Sequence, residues 1–267
     1  MEEIITAVIP VVIIGIICAA VLVTASKLMA VKEDERFPEI RECLPGANCG
    51  ACGFAGCDGY AKALCDDEDT PINLCVPGGD GVSESLSKLL GKEFAAAQKQ
   101  TAAVHCSGDC TKTQDKVEYK GMESCKAAKL LYGGKGDCTY GCIGLGDCAA
   151  VCPEHAIMVI DGVARVNKSA CTGCGICAKT CPNHIISLVP ANARVTVMCS
   201  SKDKGAVTRK LCSAGCIGCK KCEKTCPNGA VIVKDNLAVT DYSKCMECDG
   251  AVCAENCPVG CLTINFQ

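Results

Sequence analysis

Four times in this chain a cysteine followed directly by proline closes a tightly spaced cysteine run, at Cys152, Cys181, Cys226 and Cys257. The run is complete as C-x2-C-x2-C-x3-C-P at Cys171, Cys174, Cys177, Cys181 and again at Cys216, Cys219, Cys222, Cys226. Such a spacing brings several thiolates to one compact object, as in bacterial-type iron–sulfur proteins. It constrains the fold more than any apolar pattern does. The chain carries 29 Cys in 267 residues, with no Trp, 5 Tyr and 4 Phe. So little aromatic bulk leaves the organising role to disulfides, zinc or clusters. Disulfides fit poorly: the cysteine count is odd, and Met1-Glu2-Glu3 is acidic where a signal peptide is basic. Ile17 before Cys18 also departs from a lipoprotein signal. Structural zinc uses pairs of C-x2-C and often His. The only histidines, His105, His155 and His184, lie off ligand spacing. The net charge of −3 argues against a nucleic-acid binder.

Residues 4–23, IITAVIPVVIIGIICAAVLV, contain no charge. At 1.5 Å per residue such a helix spans about 30 Å, the thickness of a hydrocarbon core. Lys27, Lys32 and Arg36 follow it, and Glu2 and Glu3 precede it. The positive-inside rule therefore predicts a single-pass anchor in the cytoplasmic membrane with the soluble part in the cytoplasm. The expected order is an anchor at 1–26, a charged connector at 27–42 and a small domain holding one cysteine quartet at 43–92. An Ala/Gln/Lys-rich linker at 93–104 leads to two modules, at 105–190 and 191–267.

The two modules are copies. A shift of 74 residues sets Cys125 on Cys199, Cys138 on Cys212, Cys142 on Cys216, Cys148 on Cys222 and Cys152 on Cys226. Cys171 and Cys174 fall on Cys245 and Cys248; after a two-residue insertion Cys177 and Cys181 fall on Cys253 and Cys257. Each copy holds a β-prone pair around a turn, Asp161-Gly162 in one and Asp235-Asn236 in the other. A further strand-prone run follows each final Cys-Pro. The expected class is α+β: a transmembrane helix, a small Fe4S domain and two tandem bacterial two-cluster ferredoxin-like modules.

In two-cluster ferredoxins the cysteine before proline ligates the other cluster. That crossing assigns Cys216, Cys219, Cys222 with Cys257, and Cys245, Cys248, Cys253 with Cys226. In the first copy it assigns Cys171, Cys174, Cys177 with Cys152. The remaining group is Cys142, Cys148 and Cys181. Leu145 stands there where Cys219 stands in the second copy, so Cys138 is the expected substitute ligand. A three-iron cluster or none is the alternative.

The membrane-proximal quartet is Cys49, Cys52, Cys57 and Cys75, set in NCGACGFAGC with a late CVPGG. This glycine-rich pattern resembles the Fe4S domain of the Rnf complex B subunit, a family that also begins with one membrane helix and continues into ferredoxin modules. The resemblance covers nearly the whole chain in order; the shortest family members have one ferredoxin module where this chain has two. It implies an electron-entry subunit of a membrane ferredoxin:NAD oxidoreductase coupled to Na+ or H+ translocation. The implied partners are reduced ferredoxin and the other subunits of the complex. The expected cofactors are five [4Fe-4S] clusters.

Cys106, Cys110, Cys125, Cys199 and Cys212 remain as ligands for a sixth cluster, the quartet left unchosen. Cys18, Cys43, Cys65 and Cys261 read as spare apolar thiols. No G-x-G-x-x-G after a strand, P-loop or nucleophile–base set appears, so no catalytic residue is assigned and NAD reduction falls to another chain. Seven basic residues, Lys202, Lys204, Arg209, Lys210, Lys220, Lys221 and Lys224, face only Asp203 and Glu223 within 199–224. They read as a solvated face or as a dock for an acidic ferredoxin. The competing readings are the iron–sulfur wiring subunit of another membrane reductase or hydrogenase, and an iron–sulfur sensor. Neither explains the membrane helix joined to the glycine-rich quartet.

Overall fold

The computed structural model describes residues 12–24, 34–94, 96, 99–246, 248 and 250–264. The chain divides into two units, 1–39 and 40–267. In the first, residues 12–24 form helix α1, whose apolar side chains are exposed. Among the described residues no helix is long and apolar enough to cross a membrane. Residues 4–11 of the expected span lie outside the described residues.

The Fe4S region is built from α2 (Phe37–Cys43), α3 (Gly56–Asp66) and α4 (Gly79–Leu90). Ile40, Tyr60, Leu64 and Leu86 are buried in it. The Tyr60 hydroxyl donates to the Pro71 carbonyl at 2.6 Å, and its ring stacks on Phe54 with centroids 5.3 Å apart. Burial pushes that phenol up to about 12. Asn48 Oδ1 accepts from the Cys57 N–H at 2.8 Å, satisfying one of the free donors at the start of α3.

Residues 100–264 repeat one plan twice. The first copy has strands β1 (Gln100–Val104), β2 (Ile157–Ile160), β3 (Val163–Val166) and β4 (Ile186–Pro190). The second has β5 (Val195–Val197), β6 (Val231–Lys234), β7 (Leu237–Thr240) and β8 (Leu262–Ile264). In each, the strand entering the module pairs antiparallel with the strand leaving it, Ala102 opposite Leu188 and Thr196 opposite Thr263. Between them lies a hairpin, β2–β3 or β6–β7. Asp161, Gly162, Asp235 and Asn236 all have positive φ, the conformation that two-residue hairpin turns require. The mixed α+β class is therefore present. The expected linker at 93–104 ends earlier than its composition suggests: Gln100–Val104 is a buried strand because β4 offers it a full ladder, and pairing overrides weak local propensity.

Short helices carry one cysteine each, α5 (Cys125–Leu130), α6 (Asp147–Ala150), α7 (Ile176–Thr180), α9 (Lys221–Thr225), α10 (Tyr242–Cys245) and α11 (Val252–Glu255), whereas α8 (Gly205–Leu211) carries none and the other cysteines of the modules lie in loops. The cysteine loops lie against the hairpins. A Cβ at Gly144 would come within 2.4 Å of the Gly162 carbonyl oxygen, and one at Gly218 within 3.1 Å of that of Asn236. Each module core is a small shell of Val, Ile and Ala around buried thiols, Cys148 and Cys177 in one, Cys216, Cys222, Cys245 and Cys253 in the other.

Candidate iron–sulfur centres

Among the described residues, no three His, Cys, Asp or Glu side chains converge to hold a single metal ion. The thiols ring small spaces instead, set by set. Cys49, Cys52, Cys57 and Cys75 share one with Leu44, Tyr60 and Pro77. Cys152, Cys171, Cys174 and Cys177 share another with Ala102 and Ile157. Cys216, Cys219, Cys222 and Cys257 share a third, with Cys261 and Leu262 beside them. Cys226, Cys245, Cys248 and Cys253 form a further group: charge on Cys226 and Cys245 raises Cys253, after burial, and charge on Cys248 and Cys226 raises Cys245 likewise.

The set containing Cys142, Cys148 and Cys181 includes Cys125, while Cys138 lies elsewhere. The side chain of Asp147, next to Cys148, explains the delivery of Cys125. Its carboxylate accepts from the Cys125 N–H at 2.9 Å, the Lys126 N–H at 3.0 Å and the Ser124 hydroxyl at 3.0 Å. Burial pushes that carboxyl up, but these three donors outweigh it and hold it below its usual value. The start of α5 is thereby tied to the start of α6. Leu145, where a ligand is absent, packs on the cluster of Cys125, Ala128 and Ile143.

Cys138 lines a cavity of about 340 Å³ between the two modules, together with Cys106, Cys199 and Cys212. Cys138 lies within electrostatic reach of the other three. Burial first, and then Cys106 and Cys212, raise Cys138; burial and, further down, Cys138 raise Cys199 to about 11. Gly108 lets two of them approach: a Cβ there would lie 3.2 Å from Cys212 Sγ and 3.7 Å from Cys106 Sγ. His105 closes the junction. Its Nδ1–H donates to the Val197 carbonyl at 2.6 Å, and its Nε2 accepts from the Ser187 hydroxyl at 2.6 Å. Cys110 is exposed at the rim of the cavity, and Cys18 is exposed on α1.

The donor chemistry fits clusters. Backbone N–H groups point at the sulfurs, Ala102 to Cys171 at 3.4 Å, Ala156 to Cys152 at 3.3 Å and Ala230 to Cys226 at 3.2 Å. Such donors stabilise thiolate sulfur and set cluster potential. Burial pushes Cys148 and Cys177 up to about 12. Thiols held that high ionise at neutral pH only when a metal takes the proton's place.

Residues 44–77 match the FeS family model, for an Fe-S cluster, and residues 170–230 match the 4Fe-4S dicluster domain. The chain is 43% identical over 216 residues to the B subunit of the proton-translocating ferredoxin:NAD(+) oxidoreductase complex of Clostridium ljungdahlii, covering 80% of this chain and 76% of that one. The chain belongs to this B-subunit family. A second member, the B subunit of the ion-translocating oxidoreductase complex of Methanosarcina acetivorans, is 40% identical over 76% of each chain. The B subunit of the Na(+)-translocating ferredoxin:NAD(+) oxidoreductase complex of Acetobacterium woodii is 39% identical over 74% of this chain and 60% of its own. As a member of the B-subunit family, this chain is an iron–sulfur subunit of an oxidoreductase complex associated with the membrane.

Proposed function

We propose that this subunit accepts electrons from reduced ferredoxin and passes them through a series of [4Fe-4S] clusters to partner subunits that reduce NAD and move Na+ or H+. In this reading residues 4–23 are a single-pass anchor and the soluble part faces the cytoplasm. The clusters, when bound, supply one-electron transfer. This chain's residues hold them, order them and keep water from them.

Five sets carry the clusters: Cys49, Cys52, Cys57, Cys75; Cys152, Cys171, Cys174, Cys177; Cys125, Cys142, Cys148, Cys181; Cys216, Cys219, Cys222, Cys257; and Cys226, Cys245, Cys248, Cys253. Cys125 thus takes the role expected of Cys138. Cys106, Cys138, Cys199 and Cys212 hold a sixth between the modules.

The observation that carries the proposal is that neighbouring sets are joined through single peptide groups. The Cys142 N–H donates to Cys106 Sγ at 3.4 Å on one side of the junction, and the Cys216 N–H donates to Cys199 Sγ at 3.2 Å on the other. At the other end, Lys179, two residues before Cys181, donates to the Cys49 carbonyl at 2.6 Å. These contacts bring the junction set against a cysteine set of each module, and the Fe4S domain against the first module. The test is anaerobic iron and acid-labile sulfide per chain, with EPR after dithionite. Six [4Fe-4S] cubes give about 24 of each and five give about 20. Cys138→Ala lowers iron by about four in this assignment, and so does Cys125→Ala, each with a different EPR signal lost. Zinc in place of iron would overturn the electron-transfer reading.

A further inference from the structure

The second module carries a basic face that the cluster series does not use. Lys202, Lys204, Lys220, Lys221 and Lys224 are all exposed, and so is Cys219 among them. The two basic stretches share one surface because their backbones are packed together. A Cβ at Gly205 would lie 2.3 Å from the Ile217 carbonyl oxygen, so the start of α8 rests on the Cys216–Cys222 loop. Asn236 at the hairpin tip donates to the Lys202 carbonyl at 3.2 Å. Asp203 stays on this face between Lys202 and Lys204 and offsets part of their charge; the other acidic neighbours are occupied or to one side. Glu223 Oε2 accepts from the Val233 N–H at 3.1 Å, and Asp235 sits at the hairpin tip beside Lys234. Among the described residues, none of these lysines forms an ion pair, whereas Lys112, Lys120, Lys135 and Lys244 do.

Lys220 adds a second observation. It caps α9 with φ 59°, in the left-handed region. The equivalent residues in the first module, Gly146 before α6 and Gly175 before α7, are glycines with φ 84° and 73°. A long cationic side chain thus occupies a backbone position that glycine fills without strain. The backbone there does not itself ask for a lysine.

We propose that this face, centred on Cys219, is the docking surface for a small acidic one-electron carrier, which makes the Cys216, Cys219, Cys222, Cys257 set the point of exchange with it. The proposal rests on the electron-transfer reading above and adds the place and the chemistry of the partner. Unpaired cations around an exposed ligand steer an anionic partner and shorten the path to the cluster at once.

The test is stopped-flow reduction of the cluster-loaded full chain in detergent by a dithionite-reduced acidic two-cluster ferredoxin, at several salt concentrations. The second-order rate constant should fall steeply with salt. Lys220→Gly should slow it severalfold at low salt while leaving thermal stability equal or higher, and Lys221→Glu with Lys224→Glu should slow it about tenfold or more and flatten the salt slope. Lys62→Glu, in the Fe4S domain, should leave it unchanged, and reduction by dithionite alone should be the same for every variant. If Lys220→Gly and the double reversal leave rate and salt slope unaltered, the surface is misplaced. If the ferredoxin reduces no variant, wild type included, while dithionite reduces all, the electron-transfer reading itself fails, independently of where the partner docks.

Discussion

Cys261 offers the sharpest quantitative prediction. Its thiol is 1% exposed and lies 3.6 Å from Cys257 Sγ. It lines the same small space as Cys216, so its S–H lies beside two proposed ligands of the same cluster. The Cys261 thiol holds both of those sulfurs well below the ordinary thiol range, while it is itself held protonated between them. A donor aimed at ligand sulfur stabilises the reduced, more negative cluster and raises its potential. A net hydrogen bond contributes about 1 kcal/mol. Since about 1.4 kcal/mol is a factor of ten and a factor of ten is about 59 mV for one electron, the bond raises the potential by roughly 40 mV, less for a weak thiol donor. Cys261→Ala should therefore lower one midpoint by about 20–40 mV with iron content unchanged, and Cys261→Ser, which keeps a donor, should restore most of it. The assay is an EPR-monitored redox titration. The first module supplies a natural comparison, because Ile185, buried at 2%, holds the equivalent position and donates nothing. A midpoint that stays put or rises in Cys261→Ala, with the cluster intact, would refute the reasoning.

Three more outcomes are expected. Asp147→Ala strips acceptors from Cys125, Lys126 and Ser124, and should cost about 1–3 kcal/mol and one cluster, read as a lower melting temperature and about four fewer irons. Gly144→Ala forces a Cβ to 2.4 Å from the Gly162 oxygen at φ +78°, and should cost about 2–4 kcal/mol in denaturant unfolding. Stripping iron with a chelator should expose β1 and β4 to amide exchange, since the modules' cores are largely thiols; undiminished protection there would mean the apolar shell suffices.

How far the sequence reads depends on distance along the chain. Triplets such as Cys171, Cys174 and Cys177 are legible because a loop of a few residues closes them, and the hairpins because Asp-Gly and Asp-Asn announce their turns. Cys125 was not, because its approach to Cys142 depends on Asp147 accepting hydrogen bonds across the loop. The only signal was indirect: the shift of 74 residues gave each copy two cysteines beyond its triplets and its two Cys-Pro cysteines. That symmetry misleads in one respect, since Cys199 joins the junction set and its counterpart Cys125 does not. Strand β1 was hidden for another reason. Gln100, Ala102 and Ala103 have modest strand preference, and the ladder with β4 fixes them.

The pairing of β1 with β4, and of β5 with β8, bears on how such a chain grows. Each module begins and ends on two neighbouring strands, so its entry and exit are side by side. A unit with adjacent ends can be spliced into a chain, or copied next to itself, without rerouting what lies on either side. The second copy then needed only a seam. In the proposed assignment the seam is Cys106 and Cys138 of the first module with Cys199 and Cys212 of the second, so a duplication that lengthens the chain would lengthen the proposed electron path with it.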